Sequence, residues 1–124
     1  MNYQTVNINE FIGKTFNSIT VEDSKELIKF TTDKEVYNML HDQDCCETVQ
    51  VDEIHGDLSD LIGSPIITAE ERTNSEGNPK DKDDDFFTWT FYELATIKGG
   101  VTIRWYGTSN GCYSESVDIQ KELN

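Results

Sequence analysis

From Thr15 onward the apolar positions come in short runs rich in β-branched and aromatic residues, broken by polar turns. This is the pattern of strands packed on one face. Phe16–Val21 and Leu27–Thr32 predict a hairpin around the polar turn Glu22–Glu26, and Glu35–His41 predicts a third strand. Ile66–Glu70 and Tyr113–Ile119 predict two more. The strongest signal is Phe87–Ile97 followed by Val101–Tyr106, joined by Lys98-Gly99-Gly100, whose glycines tolerate the positive φ of a tight turn. With Lys98-Gly99 as the turn, Thr96 faces Val101, Leu94 faces Ile103 and Tyr92 faces Trp105. On the opposite face Glu93 meets Arg104 and Phe91 meets Tyr106. That register sets apolar against apolar and acid against base, as cross-strand energetics favour.

One segment has the other period. In Asp57–Gly63, Leu58, Leu61 and Ile62 recur at three and four residues and share a helical face. Asp57 suits the N-cap, Gly63 the left-handed C′ position, and Pro65 stops continuation. Asn9–Gly13 reads as a single helical turn with Asn9 as its cap. Met1–Gln4 reads as a loose start, and Gln120–Asn124 as a tail that frays or makes a helical turn. Glu71–Asp85 holds almost nothing apolar and reads as an acidic mobile loop. No internal repeat and no heptad pattern is visible. The expectation is one α+β domain over residues 1–124, mainly an antiparallel sheet of about six or seven strands with one or two short helices. At 124 residues it can bury a core without disulfides.

Charge changes the picture more than length does. The formal net charge is −14. Ten acidic residues and no Lys or Arg lie between Glu35 and Glu71, and Asp81–Asp85 adds four Asp around one Lys. Such a surface repels phosphates, which excludes conventional nucleic-acid binding, and attracts a basic protein surface. Neither a basic-then-apolar leader nor an apolar run of membrane-spanning length is present in the sequence, so a cytoplasmic protein is expected. Three cysteines is an odd count, and adjacent Cys45 and Cys46 are a pair that rarely bonds, which points to a reducing compartment.

The densest chemistry lies in His41–Ile67, with two histidines, two cysteines and seven carboxylates. Strand alternation would put His41, Gln43 and Cys45 on one face and Asp42, Asp44 and Cys46 on the other. No CxxC spacing is present, and Asp52–Asp57 lacks the alternating oxygen ligands of a calcium loop, so no metal is expected. The carboxylates disfavour a thiolate, which argues against a cysteine nucleophile paired with His41 or His55. Phosphate-binding glycine motifs are absent. No catalytic residue and no cofactor is therefore expected. The acidic face Asp42, Asp44, Glu47, Asp52, Glu53, Asp57 and Asp60 is the leading partner-binding surface. The alternative is a nucleotide-type ligand stacked on Trp89, Tyr92, Trp105 or Tyr106 with Arg104 on its phosphate. Exposed aromatic strand faces leave a homodimer as an option.

Gln43-Asp-Cys-Cys-Glu47, Gly56-Asp-Leu-Ser-Asp-Leu-Ile-Gly-Ser-Pro-Ile66, Thr88-Trp-Thr-Phe-Tyr92, Thr102-Ile-Arg-Trp-Tyr-Gly107 and Ser109-Asn-Gly-Cys-Tyr-Ser-Glu115 carry a further signal. Together, over roughly Gly13–Ile119, they resemble a family of small phage, prophage and bacterial proteins described as a domain of unknown function. The resemblance implies a mobile-element context, in which small proteins often inhibit a host enzyme or defence system or sequester a signalling nucleotide. With the charge pattern it points to a non-enzymatic inhibitor of, or decoy for, a host protein, of anti-defence or nucleic-acid-mimic type. Nucleotide sequestration is the alternative, and a metal or cysteine enzyme is more distant.

Overall fold

The structure is a computed structural model and describes residues 2–123. Among the described residues nine strands form two antiparallel sheets. They are β1 (Tyr3–Val6), β2 (Ser18–Val21), β3 (Leu27–Thr31), β4 (Val36–Leu40), β5 (Thr48–His55), β6 (Thr68–Asn74), β7 (Phe86–Thr96), β8 (Gly99–Ser109) and β9 (Asp118–Glu122). One sheet has the order β1-β9-β4-β3-β2, the other β5-β8-β7-β6. Their inner faces share one core: Ile28, Phe30, Tyr37, Met39 and Ile119 from the first meet Tyr92, Leu94, Ile103 and Trp105 from the second. The Trp105 indole N–H points across at the Met39 sulfur, 3.3 Å away.

The α+β expectation is overturned: no α-helix occurs among the described residues, and both helical segments are single 3-10 turns, Ile8–Phe11 and Leu58–Leu61. Asp57 does cap its turn, its carboxylate accepting from the Ser59 N–H at 2.9 Å, but Ile62 is already extended and Gly63 turns the chain at φ +84°. So short a segment cannot offset the cost of nucleating an α-helix. The first turn is capped by Asn7, not Asn9.

These two turns also expose a repeat that the sequence hides. A 3-10 turn, an Ile-Gly corner and a three-stranded meander occur twice: Ile8–Phe11, Ile12-Gly13, β2–β3–β4, then Leu58–Leu61, Ile62-Gly63, β6–β7–β8. The corners clasp each other reciprocally. Gly13 N–H donates to the Ile66 carbonyl and Gly63 N–H to the Phe16 carbonyl, each at 2.8 Å, beside parallel bridges Ile12↔Ile66 and Phe16↔Ile62. Behind the first corner Phe11 packs against Phe16, Phe30 and Tyr37 with ring centroids 4.9, 5.0 and 5.1 Å apart.

Other strand boundaries move for tertiary reasons. β1, expected to be loose, is held by β9 through the pairs Tyr3↔Glu122 to Val6↔Ile119. The last strand is Asp118–Glu122 rather than Tyr113–Ile119, because it pairs with both β1 and β4. β6 extends to Asn74, so Glu71–Asn74 is strand and the acidic loop shrinks to 75–85. In the β7–β8 hairpin the turn is Ile97-Lys98, and the register slides by two: Tyr92 faces Ile103, Leu94 faces Val101 and Trp89 faces Tyr106. Inward and outward faces are unchanged, because a shift of two keeps side-chain parity. Outside contacts select this register. Thr96 bonds through its hydroxyl to the Asp60 carbonyl, and a Cβ on Gly99 would lie 2.9 Å from the Asp60 carboxylate.

Gly56, where β5 leaves its sheet, has φ +106°, and a Cβ there would lie 2.6 Å from the Gly100 carbonyl oxygen. The nearest atoms are the Gly100 carbonyl and the Val101 Cα, strand backbone with little freedom to yield. Gly56→Ala is expected to cost roughly 1–3 kcal/mol, combining left-handed strain with this clash. The loss is read as a lower urea midpoint at unchanged slope.

Candidate binding site: the acidic end of the sandwich

Strand pairing brings three loops to one end. β4 ends where β9 begins, at Leu40↔Asp118. β8 ends where β5 and β7 begin, at Thr48↔Thr108 and Phe86↔Ser109. Loops 41–47, 75–85 and 110–117 therefore share that end, and they carry nine carboxylates and two lysines. A cleft of about 380 Å³ opens between them, lined by Cys46, Asp83, Asp84, Asp85, Phe86, Thr108, Ser109 and Asn110.

The first loop is built around Glu47, which is buried. Its carboxylate accepts from the backbone N–H groups of Asp44 and Cys45, each at 2.9 Å, and from His41 Nε2 at 2.8 Å. Gln43 Nε2 donates to the Glu47 carbonyl at 2.7 Å. His41 Nδ1 faces the Ser116 carbonyl at 2.7 Å, which ties this loop to the third. Burial pushes the Glu47 carboxyl up, but the His41 bond and the backbone N–H groups of Cys45 and Asp44 outweigh it and bring it down to about 2. The Gln-Asp-Cys-Cys-Glu run is therefore a self-folded turn, with the Glu47 acid buried and the exposed Gln43 amide bonded back to the Glu47 carbonyl.

A pH dependence follows, because Glu47 titrates lower in the folded chain than its ordinary 4.5. Its stabilisation is present above that ordinary value and is lost as pH falls through the folded value. Urea midpoints are expected to drop between about pH 4.5 and 2. Glu47→Gln should lower the neutral-pH midpoint and flatten that drop, leaving the share of Glu35, Asp52 and Asp57, which are also held low by their partners. An equally steep drop in the variant would contradict this assignment.

The remaining carboxylates at this end divide into bound and free. Glu115 accepts from Thr88 Oγ1 at 2.8 Å and is bonded by the Ser109 hydroxyl, and Asp84 accepts from the Tyr106 hydroxyl at 2.7 Å. The side chains of Asp42, Asp44, Asp83 and Asp85 lie in exposed positions and make no ion pair or hydrogen bond among the described residues. Burial, with Asp42 nearby, pushes the Asp118 carboxyl up, a sign of the crowding of negative charge. A second groove of about 530 Å³ between edge strands β1 and β6 includes Asp118, Glu70 and Glu71 in its wall and no basic residue.

The seven acids expected to form one face do not form one. Asp42, Asp44 and Glu47 lie at this end, Glu47 turned inward. Asp52 sits at a bulge in β5, bound by Arg104 at 3.0 and 2.7 Å and by Lys80 at 2.5 Å. Glu53 pairs with Arg104 at 2.8 Å and His55 at 3.1 Å. Asp57 caps the second 3-10 turn, and Asp60 lies against Gly99. Arg104 therefore pairs with β5, not with Glu93, which takes Arg72 at 3.1 Å.

The five candidate ligand residues also separate. Tyr92 and Trp105 are fully buried between the sheets. Trp89, Arg104 and Tyr106 lie on the outer face of the second sheet, with the Trp89 and Tyr106 rings 4.3 Å apart and the guanidinium 5.2 Å over Trp89. Their polar atoms hold the second loop down: Trp89 Nε1 donates to the Asn78 carbonyl at 2.9 Å, and the Tyr106 hydroxyl accepts from Lys80 N–H at 3.0 Å. The loop expected to be mobile is thus hydrogen-bonded to this face at Asn78 and Lys80.

Cys45 and Cys46 do not diverge as strand alternation would require. They lie in a bend, not a strand, and their sulfurs converge and are joined as a disulfide. Both residues are exposed, as is the free Cys112 on the third loop. Among the described residues no cluster of three or more His, Cys, Asp or Glu is arranged to hold a metal, and no helix is long and apolar enough to cross a membrane. Sequence reasoning missed Asp83 and Asp85 as site residues, though the Asp81–Asp85 run was the available signal.

Neither a curated protein nor a solved structure matches the chain. Residues 9–119 match one family model, that of a domain of unknown function, DUF7448. From its first 3-10 turn to the start of β9, the chain belongs to the DUF7448 family.

Proposed function

We propose that this chain is a non-enzymatic binding protein whose acidic end docks on a basic protein surface. One observation carries the reading: Asp42, Asp44, Asp83 and Asp85 stand exposed on the loops at this end with no ion pair among the described residues, Asp83 and Asp85 lining the cleft, while Lys80 is tied to Asp52. Loops gathered at one end of a rigid sandwich are a common way for this architecture to present a binding surface. A rigid array of carboxylates draws cationic partners in and disfavours anionic ones. In a phage or prophage setting, to which the family resemblance points, the partner would be a host factor in the cytoplasm, and the carboxylate array would stand in for nucleic-acid phosphates as an inhibitor or decoy.

The test is paired capture from a bacterial lysate, on wild-type chain and on the variant Asp42→Asn, Asp44→Asn, Asp83→Asn, Asp85→Asn. A basic protein retained by the wild type and lost from the variant supports the reading. Equal retention by both contradicts it.

A further inference from the structure

The adjacent cysteines carry chemistry of their own beside the acidic cleft. Cys45 and Cys46 stand at the tip of loop 41–47, both exposed, and Cys46 borders the cleft. The bend that turns the two sulfurs to the same side is also held by hydrogen bonds that do not involve them. Glu47 gathers the backbone N–H groups of Asp44 and Cys45, and His41 anchors Glu47 from below. The reduced pair is thus already held for ring closure, an intramolecular step that needs no rearrangement of the loop. Cys112, exposed on the neighbouring loop and unpaired, provides an internal comparison.

We propose that Cys45 and Cys46 form a reversible two-electron thiol–disulfide exchange site whose preferred co-reactants are small cationic thiols and disulfides. In the oxidising direction one cysteine thiolate attacks a small disulfide, forming a mixed disulfide and releasing one thiol. The neighbouring thiolate then displaces the second thiol and closes the Cys45–Cys46 bond. Two electrons pass from the protein to the small disulfide, and the two protons leave with the two released thiols. The cationic preference comes from Asp83 and Asp85, which line the cleft with Cys46, and from Asp44, next to Cys45 in the chain; they slow thiolate formation for either oxidant alike but repel an anionic co-reactant.

The experiment uses the full chain, reduced and then exposed to cystamine or to oxidised glutathione at matched concentration. The reaction is quenched with acid, and free thiols are alkylated and mapped by peptide mass. Cys45 and Cys46 are expected to become protected together as an internal disulfide, while Cys112 is alkylated or carries a mixed disulfide. Closure should be about tenfold faster with cystamine at low salt, with the gap shrinking as salt rises. Cys112→Ser should close at the same rate, and Cys45→Ser should stop at the mixed disulfide on Cys46. Independent alkylation of Cys45 and Cys46 under all conditions, or a stable mixed disulfide in the wild type, would overturn the site. Equal rates with the two oxidants would overturn its selectivity.

Discussion

Trp105→Ala is expected to remove about 3–5 kcal/mol of folding stability, the usual range for truncating a buried large aromatic residue. Trp105 lies in the middle of β8, is fully inaccessible to solvent, and reaches across the sandwich to Met39 on β4. Truncation removes the largest fully buried side chain of the core, where β8 reaches β4 across the sandwich. The surrounding strands are clamped at both ends, by the Ile-Gly corners and by the His41–Glu47 network, and so cannot close on the gap. A domain of this size is stable by roughly 5–15 kcal/mol, so the variant should lie near the edge of folding at physiological temperature. Trp105→Phe keeps most of the volume and loses only the indole N–H and part of the ring. It should cost about half as much or less. Chemical denaturation of the three proteins is the check, with midpoints ordered wild type, Phe, Ala.

The four-residue neutralisation Asp42→Asn, Asp44→Asn, Asp83→Asn, Asp85→Asn should leave folding intact and act on association. Among the described residues none of these side chains bonds to another part of the chain, so the urea midpoint should hold or rise slightly as mutual repulsion is relieved. For a basic partner the association rate should fall by about tenfold or more, because steering scales with the charge presented, while dissociation should change less. Neutralising Asp52, Glu53 and Asp57 instead should have the opposite profile. Those acids are held by Arg104, Lys80 and the Ser59 backbone, so stability should fall and association be little affected.

The contrast shows what a single sequence carries. Alternation placed the correct side chains of β7 and β8 inward, since parity survives a two-residue slide. It could not choose the turn, because that was selected by Asp60 and Thr96, far apart in the chain. β1 and the end of β9 have no local signal, as β1 exists through pairing with β9, and β9 through pairing with β1 and β4. Asp57 and Gly63 were legible as a cap and a turn, but the Leu-Leu-Ile spacing that suggested a helix serves a 3-10 turn equally well over four residues. The repeat was hidden because its two halves share identical residues only at the Ile-Gly corners, while the caps Asn7 and Asp57 and the apolar turn positions match in kind alone. For the candidate site, composition located the charge but not its neutralisation. Asp52 and Glu53 are as acidic as Asp42 and Asp44 on paper, and only the fold brings Arg104 to the first pair and nothing to the second. Cys45 and Cys46 were misplaced by treating a bend as a strand.

The measurement that bears most directly on the acidic end as a docking surface is the association rate of a purified captured partner over a series of ionic strengths, from about one Debye length of 30 Å down to about 8 Å. Docking through the free carboxylates predicts a rate that falls steeply with salt for the wild type and is nearly flat for the four-residue variant. Curves of the same slope for the two proteins would contradict it.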